Sequence, residues 1–209
     1  MTAASVTRRF ELLETFRWTP DEGFFLLHRH LERLEASARF AEYPCSLDRV
    51  CAALDRAVAG AAQPLRVRLV VGDHGEPRTD IAPLEPMPAP VRAALAAHPV
   101  DSRSPFLFHK TTHREHLERE RRSGFDDTVL WNQHGEVTET IIANLVVQID
   151  ALKVTPPVAA GLLPGTMRAE LLARGEIVER SVRVDELRGA PRFWLINSVR
   201  GWMDAVLAG

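Results

Sequence analysis

Apolar and polar residues follow two regular patterns in the first hundred positions of the chain. In 65–71, apolar residues alternate with polar or charged ones, which predicts a strand with one buried face. The segment 10–18 predicts another strand, with a hairpin partner at 23–27. Apolar residues at helical spacing predict two helices, at 30–40 and 47–58.

The rest of the chain continues this mixture of strands and helices, with a proline-rich loop at 83–90. The further elements that the pattern predicts are a strand near Thr79, a strand or helix ending at Pro99, a charged helix at 114–122, a hairpin of strands 127–131 and 136–139, a strand pair at 143–149 and 154–157, a helix at 164–173, and late strands at 176–183 and 192–197 with a short helix between them. Because strands and helices mix without a regular βαβ alternation, the sequence predicts an α+β fold.

The polar stretch 101–105 is the best candidate for a boundary between two domains. Composition changes there, and no apolar periodicity crosses it. The sequence therefore predicts a small N-terminal domain at 1–100, a linker at 101–105 and a C-terminal domain at 106–209.

Composition and charge exclude several classes of protein. Of the 209 residues, 45% are hydrophobic and 26% are charged, as in ordinary globular proteins. With a net charge of −2, the chain has no excess of basic residues that would indicate nucleic-acid binding. No apolar run reaches the roughly 18 residues of a membrane span, and residues 1–10 lack the apolar core of a secretory signal. Two cysteines, Cys45 and Cys51, are too few for a disulfide framework or a zinc cluster. We therefore expect a cytoplasmic protein that binds neither nucleic acid nor membrane.

Only two of the 26 basic residues are lysines, Lys110 and Lys153. Arginine practically never loses its proton, whereas a desolvated lysine can become a nucleophile or form a Schiff base. Lys153 lies in a predicted hairpin turn, where a solvated charge is expected. Lys110 ends the apolar run 105–110, where burial of a bare ammonium group would be costly. It either begins a polar helix or supplies an amine for chemistry.

Three polar features follow Lys110 in order. The predicted hairpin ends at Glu139, and Asn144 follows closely. Segment 162–168 contains a Pro-Gly-Thr sequence at the start of a predicted helix. In segment 195–202, a predicted strand gives way to a polar loop that contains glycine. Each feature is weak by itself, but their order and spacing together are specific.

In this order the features resemble the class IV (fold-type IV) pyridoxal-phosphate (PLP) enzymes. That family includes branched-chain and D-amino-acid aminotransferases and aminodeoxychorismate lyase. The resemblance covers nearly the whole chain, including 30–38, which looks like the family's phosphate-arginine helix. It implies a two-domain fold like that of D-amino-acid aminotransferase, with a small N-terminal α/β sandwich and a larger, barrel-like C-terminal domain that binds PLP. It also implies a small-molecule substrate and a homodimer.

The resemblance assigns a role to individual residues. Lys110 would form the Schiff base with PLP, and Glu139 would keep the pyridine nitrogen protonated so that the ring accepts electrons. Backbone N–H groups at the start of the predicted helix would bind the phosphate. The residues expected to hold the cofactor are Arg33, Lys110, Glu139, Asn144, Gly165, Thr166 and Ser198. The residues expected to bind the substrate are Arg66, Asn197 and Arg200.

Each of these residues also has a plainer interpretation. Without the surrounding pattern, Glu139 would be a solvated hairpin residue, and Pro-Gly-Thr is a common helix start in any case. Arg66 and Arg68 alternate on a predicted strand, and either one could be a solvated charge. The polarity of a loop alone would explain Asn197 and Arg200.

His109, His113 and His116 fall at spacings of four and three, so two of them could share a helix face and bind a metal. No carboxylate or cysteine completes a convincing set, and histidines are common on the surface of a charged helix. We therefore expect no metal site.

The segments 10–15 and 197–201 look most like the lyase group, which includes lyase domains fused to aminodeoxychorismate synthase. The leading expectation is a 4-amino-4-deoxychorismate lyase that yields 4-aminobenzoate and pyruvate for folate synthesis, with a functional link to that synthase left open. One alternative is a class IV aminotransferase that acts on branched-chain or D-amino acids. Another is an inactive homologue that keeps the fold for binding a partner.

Two features depart from the family's pattern. Class IV enzymes usually carry a strand and an aromatic, glycine-rich turn before the segment that matches Phe10, where this sequence has nine residues. That turn shapes the substrate pocket in many members, and its absence would also fit an inactive homologue. Aminotransferases of the group often have a tyrosine shortly after the lysine. This chain has 111–115 there and a single tyrosine, Tyr43, which favours the lyase branch.

Overall fold

The structure, a computed structural model, describes residues 10–208. Residues 1–9 and residue 209 lie outside the described part. The segment 1–10, considered above for a secretory signal, therefore lies almost entirely outside it. Within 10–208, no helix is long and apolar enough to span a membrane.

The first part of the described chain is a four-stranded antiparallel sheet covered by two helices. Its elements are β1 (Leu12–Thr19), β2 (Gly23–Phe24), α1 (Leu27–Ala41), α2 (Leu47–Val58), β3 (Leu65–Val71) and β4 (Pro77–Pro83). The strand order is β2-β1-β3-β4, and seven consecutive residue pairs join β1 to β3.

The two faces of this sheet have different neighbours because side chains alternate along each strand. Leu12 and Phe16 on β1, and Val67 and Leu69 on β3, are fully buried against α1 and α2. Burying a side chain of this size stabilises the fold by about 1.5–3 kcal/mol. The opposite face carries Arg66 and other polar side chains, and it lines a cavity.

The second part of the chain is an eight-stranded mixed sheet with three short helices. Its elements are β5 (Val91–Leu95), α3 (Glu115–Glu118), β6 (Asp127–Trp131), β7 (Val137–Thr140), β8 (Asn144–Ile149), β9 (Leu152–Thr155), α4 (Thr166–Ala173), β10 (Val178–Glu179), α5 (Val184–Gly189), β11 (Phe193–Asn197) and β12 (Gly201–Leu207). The strand order is β10-β9-β8-β11-β12-β5-β6-β7.

This sheet closes on itself. Strand β7 pairs back to β8 through Glu139 and Asn144, so six of the strands form a barrel-like ring. Val129, Leu145 and Leu195 are fully buried in the apolar cluster that these strands share. The closing contact thus places Glu139 and Asn144 side by side, although four residues separate them in the chain.

The predicted α+β mixture is confirmed, and both the helix at 47–58 and the strand at 65–71 have the predicted bounds. The helix predicted at 114–122 is wrong in length, since α3 has only four residues. After Glu118 the chain continues as turns, and the backbone N–H of Arg122 donates to Thr128 Oγ1 at 2.9 Å instead of to a helical carbonyl. Strand β12 was not predicted, and β10 has two residues where the pattern predicted a strand at 176–183.

Strand β5 belongs to the second sheet, where it lies between β12 and β6. The two sheets therefore divide between β4 and β5, ahead of the linker predicted at 101–105. A division of the chain into two domains at 101–105 stays a prediction.

Candidate active site

A cavity of about 440 Å³ lies between the polar face of the first sheet and one end of the barrel-like sheet. Its volume is in the range of small-molecule sites, about 300–1,000 Å³. All ten residues predicted for the cofactor and substrate line this cavity: Arg33, Arg66, Lys110, Glu139, Asn144, Gly165, Thr166, Asn197, Ser198 and Arg200. The lining contains six arginine or lysine side chains and two acidic ones, so the cavity favours anionic ligands.

Lys110 is held at the junction of the two sheets by its backbone. Its carbonyl accepts a hydrogen bond from the N–H of Leu13 at 2.9 Å, and the next residue, Thr111, forms a β-bridge with Leu12. Burial lowers the pKa of the Lys110 amine to about 7, with Arg33 and Arg114 acting in the same direction. Near neutral pH, a large share of this amine is therefore unprotonated and can act as a nucleophile or base.

Glu139 lies at the end of β7, almost fully buried. Burial raises the pKa of its carboxyl group to about 8, because the ionised form loses its hydration. The backbone N–H of Leu163 donates to Oε1 at 3.1 Å, and Asn144 Nδ2 donates to Oε2 at 3.3 Å. These bonds fix the orientation of the carboxyl group, and a cation placed beside it would favour the ionised form.

Asn144 also explains why residue 165 is glycine. Its Nδ2 donates to the carbonyl of Leu163 at 2.9 Å, which fixes the loop before α4. A Cβ atom at position 165 would lie 1.8 Å from Asn144 Oδ1, and Gly165 has an ordinary φ of −65°. The requirement is therefore for space and not for backbone freedom.

The start of α4 offers a site for an anion. Gly165 is the N-cap residue and makes no side-chain capping bond, which leaves backbone N–H groups of the first turn available. The helix dipole adds a partial positive charge at this end. The buried side chains of Thr166 and Ser198 line the same cavity.

A buried network that the sequence prediction missed holds Arg33 beside this helix. Arg33 donates to both carboxylate oxygens of Glu14, at 2.8 and 2.6 Å, and to the carbonyl of Pro164 at 3.3 Å. His30 Nδ1 lies 2.6 Å from Glu14 Oε2, and its Nε2 lies 3.3 Å from Thr166 Oγ1. The sequence did contain a signal, because Glu14 is a carboxylate on the apolar face of β1.

Burial by itself would raise the pKa of Glu14, but Arg33 and His30 outweigh it and lower that pKa to about 2. A carboxyl group with a lowered pKa contributes stability above its unfolded value of 4.5, and this stability is lost as pH falls from 4.5 to 2. The folded protein should therefore lose stability in acid partly through this one residue.

Replacing Glu14 with glutamine should lower the free energy of unfolding at pH 7 by about 3 kcal/mol, because it leaves the Arg33 charge unpaired. It should also weaken PLP binding by about tenfold, since Arg33 and His30 lose the group that orients them. Urea unfolding at pH 7 and pH 3 and a fluorescence titration with PLP would measure both effects. The control is Glu11→Gln, which removes an exposed pair with Arg78 and should cost less than about 1 kcal/mol. Equal effects of the two substitutions would contradict this role for Glu14.

Arg114 is a second residue that sequence reasoning did not single out. It is partly buried, lines the cavity and donates to the backbone carbonyl of Ile141 in the loop that joins β7 to β8. Its charge lowers the pKa values of both Lys110 and Glu139. It lies four residues after the lysine, in the stretch where the sequence lacks the tyrosine typical of aminotransferases.

The loop after β11 is shaped by Asn197. Its Oδ1 accepts from the backbone N–H groups of Val199 at 3.0 Å and Arg200 at 2.8 Å, and its Nδ2 donates to Ile142 O at 3.3 Å. With these bonds made, Asn197 acts on the cavity mainly by holding Arg200 in place. Contact between Asn197 and a substrate stays a prediction.

The three histidines considered for a metal site lie apart from one another or pack on aromatic rings. His109 stacks on Phe40 at 4.0 Å between ring centroids and lies 3.2 Å from Ser37 Oγ, while the rings of His113 and His116 are 5.9 Å apart. Across the described residues, no group of three or more His, Cys, Asp or Glu side chains could hold a metal ion.

A sequence model of the family described as amino-transferase class IV matches residues 11–207. The chain belongs to the class IV aminotransferase family. This family depends on PLP, so the cofactor that the resemblance implied is confirmed, and the chain is a class IV PLP enzyme of the lyase or aminotransferase type.

Two relatives and one more distant structure set this family membership in context. A Schizosaccharomyces pombe protein named "Putative aminodeoxychorismate lyase" is 30% identical over 198 residues, which cover 90% of this chain and 86% of the relative. A crystal structure from Mesorhizobium loti, described as a "Putative amino-acid aminotransferase", is 35% identical with a TM-score of 0.89, over 95% of this chain and 100% of that one. The PLP-bound form of a hypothetical aminotransferase from Mycobacterium tuberculosis is 23% identical with a TM-score of 0.78, over 94% and 80% of the two chains. The expected class IV fold is therefore confirmed.

Proposed function

We propose that this class IV enzyme is a 4-amino-4-deoxychorismate lyase, which releases 4-aminobenzoate and pyruvate. The observation that carries the proposal is the 30% identity, over nearly the whole chain, to a relative named as an aminodeoxychorismate lyase. The cavity supports it, since Arg114 and not a tyrosine follows Lys110 there. The only tyrosine, Tyr43, donates to the carbonyl of Phe10 and is not part of the cavity lining.

The residues of the cavity fit PLP. We assign the phosphate to Arg33, Ser198 and the first turn of α4 at Thr166, which together offer a cation, hydroxyl groups and backbone N–H donors. A side chain at position 165 would clash with Asn144, so glycine there lets Asn144 pack against this helix start.

Two further residues complete the assignment. Glu139, held by Asn144 and Leu163, would face the ring nitrogen, where its ionised form keeps that nitrogen protonated. Lys110 would carry the covalent link to the cofactor, for which its largely neutral amine is suited. The volume of about 440 Å³ leaves room for a small substrate beside the cofactor.

In the proposed reaction, Lys110 acts as the base. PLP, when bound, serves as a sink for the electrons left on the substrate when a proton is removed. Once the amine of the substrate has taken the place of Lys110 on the cofactor, the released neutral amine of Lys110 would take the proton from C4 of the substrate, for which its pKa of about 7 is well matched. The bond to the enolpyruvyl oxygen then breaks, the ring becomes aromatic, and the Lys110 ammonium returns a proton to the departing group, which leaves as pyruvate.

A second candidate is an aminotransferase for branched-chain or D-amino acids, which the 35% identity to the Mesorhizobium loti protein favours. It needs the same lysine, glutamate and phosphate site, so these residues do not separate the two reactions. An inactive homologue would keep the cavity but take up no chromophore. For either enzyme we propose a cytoplasmic location and a homodimer, and light scattering would test the dimer. A functional link to an aminodeoxychorismate synthase is part of the lyase proposal only.

The reaction is tested by the products. With PLP and 4-amino-4-deoxychorismate alone, the protein should form 4-aminobenzoate and pyruvate in equal amounts, without an amino acceptor. Formation of glutamate from 2-oxoglutarate and a branched-chain or D-amino acid, with no 4-aminobenzoate, would instead establish the aminotransferase. Absence of both activities in a protein that has taken up PLP would contradict both candidates.

A further inference from the structure

Two arginines face each other on the polar side of the first sheet. Arg17 on β1 lies directly opposite Arg66 on the antiparallel strand β3. Like charges at such positions destabilise a sheet. The Arg17 guanidinium lies 4.2 Å above the ring of Phe25, and neither arginine forms an ion pair with a carboxylate among residues 10–208. Within the described residues, the fold therefore places two arginines side by side with no carboxylate paired to either of them.

A third arginine reaches the same place from the other sheet. Arg200 follows β11, in the loop that Asn197 holds. Arg66 and Arg200 line the same cavity. Burial lowers the pKa of Arg200, and the charge of Arg66 lowers it further. The Nε atoms of Arg17 and Arg200 are both buried, and within the described part of the chain neither has a hydrogen-bond partner. Buried donors without partners are costly, so an acceptor from a ligand would stabilise this arrangement.

These arginines lie where two cavities meet. A second cavity, of about 470 Å³, is lined by Arg17, by the loop 84–89 and by Trp202. Val199 and Arg200 line both cavities and so connect them.

The second cavity also contains two acidic side chains, and neither neutralises the arginines. Asp204 is paired with Arg192 at 2.8 Å. Glu85 lines the cavity without an ion pair to Arg17, Arg66 or Arg200.

We propose that Arg17, Arg66 and Arg200 form a subsite for a second carboxylate of the substrate, and that the second cavity receives the arm that carries it. A guanidinium group binds a carboxylate through two parallel hydrogen bonds, and three such groups around one position select strongly for an anion. This inference rests on one part of the proposed function, namely that PLP and the reacting amine of the substrate occupy the first cavity. The proposed lyase substrate has two carboxylates, one on its ring and one on its enolpyruvyl group, whereas a branched-chain amino acid has one.

Arg17 is the decisive residue, because it lines the second cavity and not the first. The test compares the binding of benzoate, with one carboxylate, and isophthalate, with two, to the PLP-loaded protein by calorimetric titration. The variants are Arg17→Gln and Arg17→Lys. Arg56→Gln is the matched control, because it removes an exposed charge on α2 that lines neither cavity.

The wild-type protein should bind isophthalate at least about tenfold more tightly than benzoate. Arg17→Gln should remove most of this preference while changing the affinity for benzoate by less than about twofold, and Arg56→Gln should behave like the wild type. Arg17→Lys should recover part of the preference, which a misfolded variant would not do. Equal weakening of both ligands by Arg17→Gln, or no preference in the wild type, would overturn the subsite. Because the assay needs no turnover, an Arg17-dependent preference in a protein that does not cleave 4-amino-4-deoxychorismate would support the subsite and reject only the lyase.

Discussion

Replacing Lys110 with alanine should lower kcat for 4-aminobenzoate formation by at least about 1,000-fold. The variant loses both the amine that links the cofactor and the base that removes the substrate proton. The visible absorption of the PLP-loaded protein should change as well, because PLP would bind without a covalent bond. Steady-state kinetics and an absorption spectrum of each variant measure the two effects.

The chain offers a matched control in its only other lysine. Lys153 lies on β9 with its amine 5.0 Å from the Trp202 ring, and it lines neither of the two connected cavities. Lys153→Ala should therefore keep the wild-type kcat and spectrum. Substantial turnover by Lys110→Ala, or an equal loss in Lys153→Ala, would contradict the role of Lys110.

Replacing Glu139 with glutamine should lower kcat by about 100-fold while PLP stays bound. Glutamine can keep the hydrogen bond from Leu163, but it has no charge with which to hold the ring nitrogen protonated. The control is Glu136→Gln, on the same hairpin, where the side chain accepts a hydrogen bond from Asn132 outside the cavity lining. A variant at position 139 with wild-type kcat would mean that another group protonates the ring.

The protein without cofactor gives a test of Glu139 that does not depend on activity. The pKa of this carboxyl group is raised from 4.5 to about 8 in the folded protein, so its ionisation opposes folding. Its contribution to the free energy of unfolding therefore falls as pH rises from 4.5 to 8. Over this range the Glu139→Gln variant should become progressively more stable relative to the wild type, as measured by urea unfolding. A difference that stays constant with pH would mean that Glu139 is not desolvated.

Much of the fold could be predicted from local patterns. Helix α2 and strand β3 were predicted at their observed bounds, because each buries one face and so shows a clear apolar period. The charged segment 114–122 lacks such a period, and most of it is not helical: after α3 it continues as turns, and Arg122 makes a hydrogen bond to Thr128 that only the folded chain brings together. Closure of the barrel-like sheet likewise depends on strand neighbours that no local pattern reveals.

Site residues could be predicted where their residue type is rare in the chain, or where several motifs follow one another in a fixed order. Lys110 is one of only two lysines, and Glu139 and Gly165 follow it in motifs with a fixed order. Two of the missed residues, Glu14 and Arg17, lie on one strand whose alternate faces reach two different environments. Glu14 faces α1 and Arg17 faces a cavity, so the role of each depends on elements that are distant in sequence.

Mapping the site of covalent cofactor attachment tests the central claim most directly. The purified protein would be loaded with PLP, reduced with borohydride, digested and analysed by mass spectrometry. We predict the reduced cofactor on Lys110 and none on Lys153. A protein that takes up no cofactor, or carries it only on Lys153, would contradict the assignment of this cavity as the active site.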